Sequence, residues 1–346
     1  MMNKFKRKFA AYTMTSLVAL SATPALALDS FWTPLQLSLT PPLQIPNDSC
    51  TVYGLSLGIL RVGVHTKVAK DVLGLDDEDV VGLQIAGYDS YSRELYGAQL
   101  SGFFSSNSKS LVGFQMSCIG NFADDIPFGF QLAGLANYLK NDLGFGLQLA
   151  GVCNECRSGT GLQAALGWNQ CVSGVGLQMA IANTAINEFT GVQFGLFNWG
   201  EGQSGRVEKR HEVLEGRIQS YGRPANFHQG VRDMRGLQVG LANKSSDLYG
   251  VQCGLIWNDV NNISGLQFGA LNTAEVVTGI QIGLLNSHPR IMTGVQWGII
   301  NRADHVTGVQ LGIFNRAETM TGIQLGLLNV ITENTVLLLP VINAHF

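Results

Sequence analysis

The segment Cys153-Asn-Glu-Cys156 sets two thiols at a spacing that can bind metal or exchange disulfides, and Cys171 follows in the next similar stretch. Zinc would need further ligands, and no second Cys-x-x-Cys or histidine cluster accompanies the first. In an oxidising compartment Cys153, Cys156 and Cys171, with Cys50, Cys118 and Cys253, read as disulfide candidates or small buried residues. His211 and His228 could converge on a cation with Glu212, Glu215 and Asp233, but charged loops carry such residues simply to stay solvated. The repeated Gly-x-Gln-x-Gly is not a phosphate cradle, which needs a strand leading into a helix. No serine sits in a nucleophile elbow, and no histidine and carboxylate recur together at a fixed place. Asp76-Asp77-Glu78 and Asp124-Asp125 lie in turn-like segments. The expectation is a protein without catalysis, cofactor or metal.

What must position these residues is a repeat. A glycine two residues before a glutamine recurs at Gly82, Gly97, Gly113, Gly129, Gly146, Gly161, Gly176, Gly191, Gly236, Gly250, Gly265, Gly279, Gly294, Gly308 and Gly322. Apart from one interruption, the step is fourteen to seventeen residues. Gln84, Gln99, Gln131, Gln193, Gln267, Gln310 and Gln324 exemplify the glutamine. An asparagine follows most of them five or six residues on, as at Asn137, Asn198, Asn272, Asn315 and Asn329. Weaker copies begin at Pro34, Gly54 and Val336. Residues 28–346 therefore read as one repeat domain with a charged insertion at 199–235, which carries 12 of the chain's 47 formal charges.

Alternating apolar residues within a unit have the period of a strand. Thr321, Ile323, Leu325 and Leu327 share one face, and Met320, Gly322, Gln324, Gly326 and Leu328 the other. Two glycines in five positions disfavour a helix. Stretches such as Asn315-Arg-Ala-Glu-Thr319 have turn chemistry. The fold class is all-β, built of tandem 14–15-residue strand-and-loop units.

Lys4, Lys6, Arg7 and Lys8, a short apolar stretch and Ala25-Leu26-Ala27 make residues 1–27 a predicted secretory signal peptide. Without its four basic residues, 18 basic side chains face 25 acidic ones, a net charge of about -7 that offers nothing to nucleic acid. Only 14% of residues are charged.

Two architectures accommodate such a unit. An antiparallel outer-membrane barrel of about 16–18 strands would turn the aliphatic face to lipid and line its lumen with Gln and Gly. A β-solenoid would bury the aliphatic face and show Gln and Gly to water, an uncharged surface unusual for a soluble protein. That contrast favours the barrel, as does an ending at Phe346 like the aromatic terminal strand of bacterial barrels. Evenly short loops, a fixed Asn that could stack, and Cys156 and Cys171 in equivalent places favour the solenoid. The barrel, a passive pore or structural surface component, is the leading expectation. The solenoid, an adhesion or interaction module, is the alternative.

The units "GVQLGIFN", "GIQLGLLN" and "GIQIGLLN", the entry "PLQLSLTPPLQIPND" and the ending "LPVINAHF" together resemble a poorly characterised family of bacterial surface-repeat proteins. The resemblance covers most of the chain beyond the leader. It implies export to the outer membrane or cell surface; the barrel expectation, with Phe346 as its assembly signal, adds lipid and the outer-membrane assembly machinery as partners. The resemblance brings no catalytic residue and no known surface ligand.

Overall fold

The structure is a computed structural model and describes residues 32–40, 43–45, 51–62, 79–200, 233–287 and 289–345. The signal peptide, nearly all of the charged insertion, Cys50 and Phe346 lie outside the described residues. The chain divides into two compact units, Met1–Ser117 and Cys118–Phe346.

The first unit contains β1 (Trp32–Thr40), β2 (Leu43–Ile45), β3 (Thr51–Gly58), β4 (Arg61–Val62), β5 (Asp79–Ala86), β6 (Asp89–Ser101) and β7 (Phe104–Ser117). β1, β3, β5, β6 and β7 stack in parallel, each on the one before, and β2 runs antiparallel to β1. Among its described residues are the ion pairs Arg61–Asp89, Arg93–Asp79 and Lys109–Glu94.

The second unit contains β8 (Gly120–Ala133), β9 (Ala136–Leu139), β10 (Asp142–Ala150), β11 (Cys153–Ala165), β12 (Trp168–Met179), β13 (Ala182–Phe194) and β14 (Phe197–Gly200). After the insertion come β15 (Asp233–Ser287), β16 (Ile291–Arg302), β17 (His305–Ala317), β18 (Thr319–Ile331) and β19 (Leu338–His345). β15 is continuously extended and spans four repeats, those of Gly236, Gly250, Gly265 and Gly279. β13 pairs directly with it, Gln193 opposite Gln238, so the insertion leaves the stack unbroken.

Each unit is a β-solenoid, not the antiparallel barrel favoured by the sequence. Consecutive repeats are parallel and in register: Gly294, Gly308 and Gly322 align, as do Gln296, Gln310 and Gln324, and Asn301, Asn315 and Asn329. The reason lies in the asparagine. The Gly-Gln-Gly core is palindromic and tolerates either direction, but an antiparallel neighbour centred on glutamine would set each Asn against a Thr319-type position. Parallel stacking instead sets every Asn on another Asn. β19 is the exception in this unit, folding back antiparallel on β18 as a terminal cap.

The faces also differ from the expectation for a solenoid. Met292, Gln296, Asn301 and Ala303 point inward, and Val306, Gln310, Asn315 and Ala317 repeat the pattern one coil later. The aliphatic face points outward. Asn315 and Ala317, read from sequence as turn residues, belong to the core.

Glycine is obligatory where the coil enters this arrangement. Gly308 and Gly322 have φ of 140° and 144°, a region closed to other residues. A Cβ on Gly322 would also come within 3.0 Å of the Gly308 carbonyl oxygen. The backbones are stacked too closely for a side chain of any kind.

Candidate interaction face

Along the columns the interior amides bond one another. In the second unit each column glutamine from Gln148 to Gln324 donates its Nε2 to Oε1 of the preceding one, at 2.7–3.0 Å. The asparagines donate the opposite way, each Nδ2 to Oδ1 of the next from Asn121 to Asn329, at 2.8–3.1 Å. Asn301 Nδ2 also donates to the Leu311 carbonyl at 2.8 Å, and Asn315 repeats this on Leu325 at 2.9 Å. In the eight repeats from Gln193 to Gln324 a second glycine clears that approach, whereas Ala133, Ala150, Ala165 and Ala180 stand there in the four before them. A Cβ on Gly312 would lie 2.6 Å from Asn301 Nδ2. Burying an amide is costly unless it is bonded, and here each column supplies its own partners. The column ends at Gln324, whose buried Oε1 has no hydrogen-bond partner among the described residues.

In the first unit serine replaces several of these amides. Ser56 takes the glutamine place and donates Oγ to Gln36 Oε1 at 2.5 Å. Ser90 and Ser105 take the asparagine place, with Ser90 Oγ donating to Ser105 Oγ at 3.3 Å. Gln84, Gln99 and Gln115 still form a ladder, at 2.7 and 2.9 Å.

With the amides consumed inside, the outer surface carries what chemistry remains. In each of the twelve second-unit repeats, take the six residues from just before the column glutamine to four after it. That tract contains no charged residue, and no polar one except the inward glutamine itself. Examples are Ile280-Gln-Ile-Gly-Leu-Leu285, Val295-Gln-Trp-Gly-Ile-Ile300 and Ile323-Gln-Leu-Gly-Leu-Leu328. The outward members stand in solvent: Leu166 is 77% exposed, Leu284 57%, Trp297 60% and Leu327 67%. Twelve coils at strand spacing make this apolar surface roughly 50 Å long and 15 Å wide, beyond the few hundred Å² that soluble monomers usually expose. Charges collect instead at the corner after the asparagine, where Arg302 aligns with Arg316 and the Glu318 amide bonds the Asp304 carbonyl.

The predicted site residues fall into place around this plan. The repeat-defining Gly, Gln and Asn residues all belong to the stacked columns, Gly129 among them through its pairing with Gly146. Cys156 and Cys171 are buried and stacked in register, as a solenoid requires, while Cys153 is half-buried and faces elsewhere. All five described cysteines are unbridged. Burial pushes the Cys156 thiol up to about 12 and that of Cys171 higher still. No cluster of three or more His, Cys, Asp or Glu side chains suited to a metal occurs among the described residues. His211, His228, Glu212 and Glu215 lie outside them. His305 bonds Thr319 Oγ1 through Nδ1 at 2.7 Å, an exposed contact between corners of adjacent coils.

Sequence reasoning separated the two strand faces correctly and turned the aliphatic one outward, but only for a barrel; for the solenoid it placed that face inside. The signal for its exposure was present in the twelve tracts free of outward polar residues. No protein-family model matches the chain, and no curated protein or solved structure matches it either.

Proposed function

We propose that the chain is an exported, non-enzymatic β-solenoid that acts as an interaction protein and docks onto lipid through its apolar face. The observation that carries this reading is the absence of any outward polar side chain from twelve consecutive tracts. Such a face can enter hydrocarbon without stranding polar groups. Its side chains are apolar, and its backbone is paired from coil to coil, as in β16, β17 and β18.

Two features favour lipid over a protein partner. A protein interface ordinarily includes about one hydrogen bond per 100–200 Å², and among its side chains this face offers little beyond the single indole N–H of Trp297 to make one. The row just after the glutamine also mixes sizes freely, from Ala164 through Phe194 and Cys253 to Trp297. A fluid adapts to such a row, whereas a rigid partner or a second copy would have to match each knob. The charged corners would remain in water, giving the geometry of a protein lying on a membrane surface.

Flotation with vesicles of a zwitterionic phospholipid tests the proposal. The mature protein is expected to float, and the triple variant Leu284→Glu, Ile299→Glu, Ile313→Glu to stay behind with an unchanged β-sheet spectrum. A wild-type protein that never floats and forms a discrete dimer by light scattering would assign the face to a second copy and end the lipid reading.

A further inference from the structure

Cys156 and Cys171 occupy equivalent places on adjacent coils, and the coils holding them are built unlike the others. The inward apolar position that is Ile126, Leu143, Phe189 or Met234 elsewhere is Gly159 and Gly174 in these two coils. The vacated positions open a cavity of about 10 Å³ lined by Cys156, Cys171, Gly159, Gly174 and Phe189. Both sulfurs lean toward the gap. A Cβ on Gly159 would lie 3.3 Å from Cys156 Sγ, and one on Gly174 would lie 3.2 Å from Cys171 Sγ. Gln163 Nε2 donates to Cys156 Sγ at 3.2 Å and Gln178 Nε2 to Cys171 Sγ at 3.3 Å, so the thiols are held alike, one coil apart.

We propose that Cys156 and Cys171 form a cross-coil disulfide that staples the two coils lacking an apolar core residue. Neighbouring strands lie about 4.8 Å apart, inside the Cα separation of roughly 4.4–6.8 Å that a disulfide spans, and closing the bond from the unbridged arrangement needs the two Cβ atoms to tilt together by a few tenths of an ångström, to about 4.5 Å or less. The paired glycines leave the sulfurs room to rotate together. Cysteine as mere filler would explain small inward residues, but not two in register facing a shared gap.

The oxidation balances against an external protein disulfide. One cysteine thiolate attacks that disulfide and releases a thiol. The second cysteine loses its proton, displaces the carrier from the mixed disulfide and closes the internal bond, leaving the external pair reduced. Burial suppresses both thiolates in the folded coil, so exchange takes place before the coils close. The bond is inaccessible afterwards. This inference is independent of the lipid reading.

The full chain, exported with its leader, is denatured with a maleimide present and no reductant, digested with trypsin and weighed. The expected product is a linked pair of peptides, one ending at Arg157 and one containing Cys171. The link should persist in Cys153→Ala and vanish in Cys156→Ala and Cys171→Ala. Alanine already fills this place in other coils at Ala123 and Ala185, so these variants should fold. Dithiothreitol should cut the link only when denaturant is present. Maleimide on both cysteines of the wild type would overturn the proposal, as would a link that survives Cys156→Ala or a retained metal ion that protects both thiols.

Discussion

The inward column and the outward tract of the same strand vary in opposite ways. Inward, every repeat of the second unit has glutamine at one fixed position, where even a one-carbon change would break the spacing between amides. Outward, one residue later, Ala164, Met179, Phe194, Val239, Cys253, Phe268 and Trp297 all serve. The column is held by hydrogen-bond geometry from coil to coil, so chemistry and size are both fixed. The tract is held only by what it faces, so polarity is fixed and size is free. This solenoid keeps its amides inside and its aliphatic residues outside, the reverse of a soluble β-protein, and the inversion points to an apolar environment for the outer face.

The sharpest way to break this comparison is at the backbone. Gly308→Ala must place a side chain at φ 140° and against the Gly294 carbonyl. Strain and overpacking together predict a loss of about 4 kcal/mol or more, read as a large fall in denaturation midpoint. A wild-type midpoint would mean that the coils are not stacked this closely.

Gln296→Leu comes next. It leaves Gln281 Oε1 and Gln310 Nε2 without their partners, now at 2.9 and 2.7 Å. A stranded buried oxygen, and an amide nitrogen left with only its 3.4 Å bond to the Arg316 carbonyl, predict a loss of about 2–4 kcal/mol despite the gain in hydrophobicity. Trp297→Leu, immediately beside it, should change stability by less than about 0.5 kcal/mol. Equal losses at the two positions would erase the distinction between column and tract.

On the outer tract the readout moves from stability to binding. Leu284→Glu should leave the denaturation midpoint almost unchanged yet weaken vesicle binding about tenfold, since seating one such side chain in an apolar phase is worth about 1.5–3 kcal/mol. A stability loss without a change in flotation would place Leu284 in a packed core instead.

Much of this was legible in the sequence, and the limit was physical. The repeat, the strand period and the partition of faces follow from spacing alone, and the equivalent places of Cys156 and Cys171 pointed to stacking only if the chain were a solenoid. The direction of stacking did not follow, because Gly322-Gln324-Gly326 reads the same both ways. Only Asn329, off-centre in the unit, distinguishes parallel from antiparallel. The inside was misassigned for the solenoid because aliphatic burial is the ordinary rule, and a column of Gln84, Gln99 and Gln115 becomes a tolerable core only when each amide bonds the next. Gly159 and Gly174 were visible as residues, but their vacancy had meaning only once the columns were aligned.

The smallest expected effect lies at the charged corner, which shares neither constraint. Arg302 and Arg316 align there on successive coils, and both are exposed. Like charges directly opposite one another repel weakly across a sheet, and salt screens such exposed pairs. Arg316→Gln is therefore expected to leave stability unchanged or raise it by up to about 0.5 kcal/mol, with any gain shrinking as salt is added. Binding to zwitterionic vesicles should not change, because this corner stays in water when the apolar tract is seated. If the variant instead lost several kcal/mol or failed to float, the corner would be part of the fold or of the docking surface, and the division between column, tract and corner would have to be redrawn.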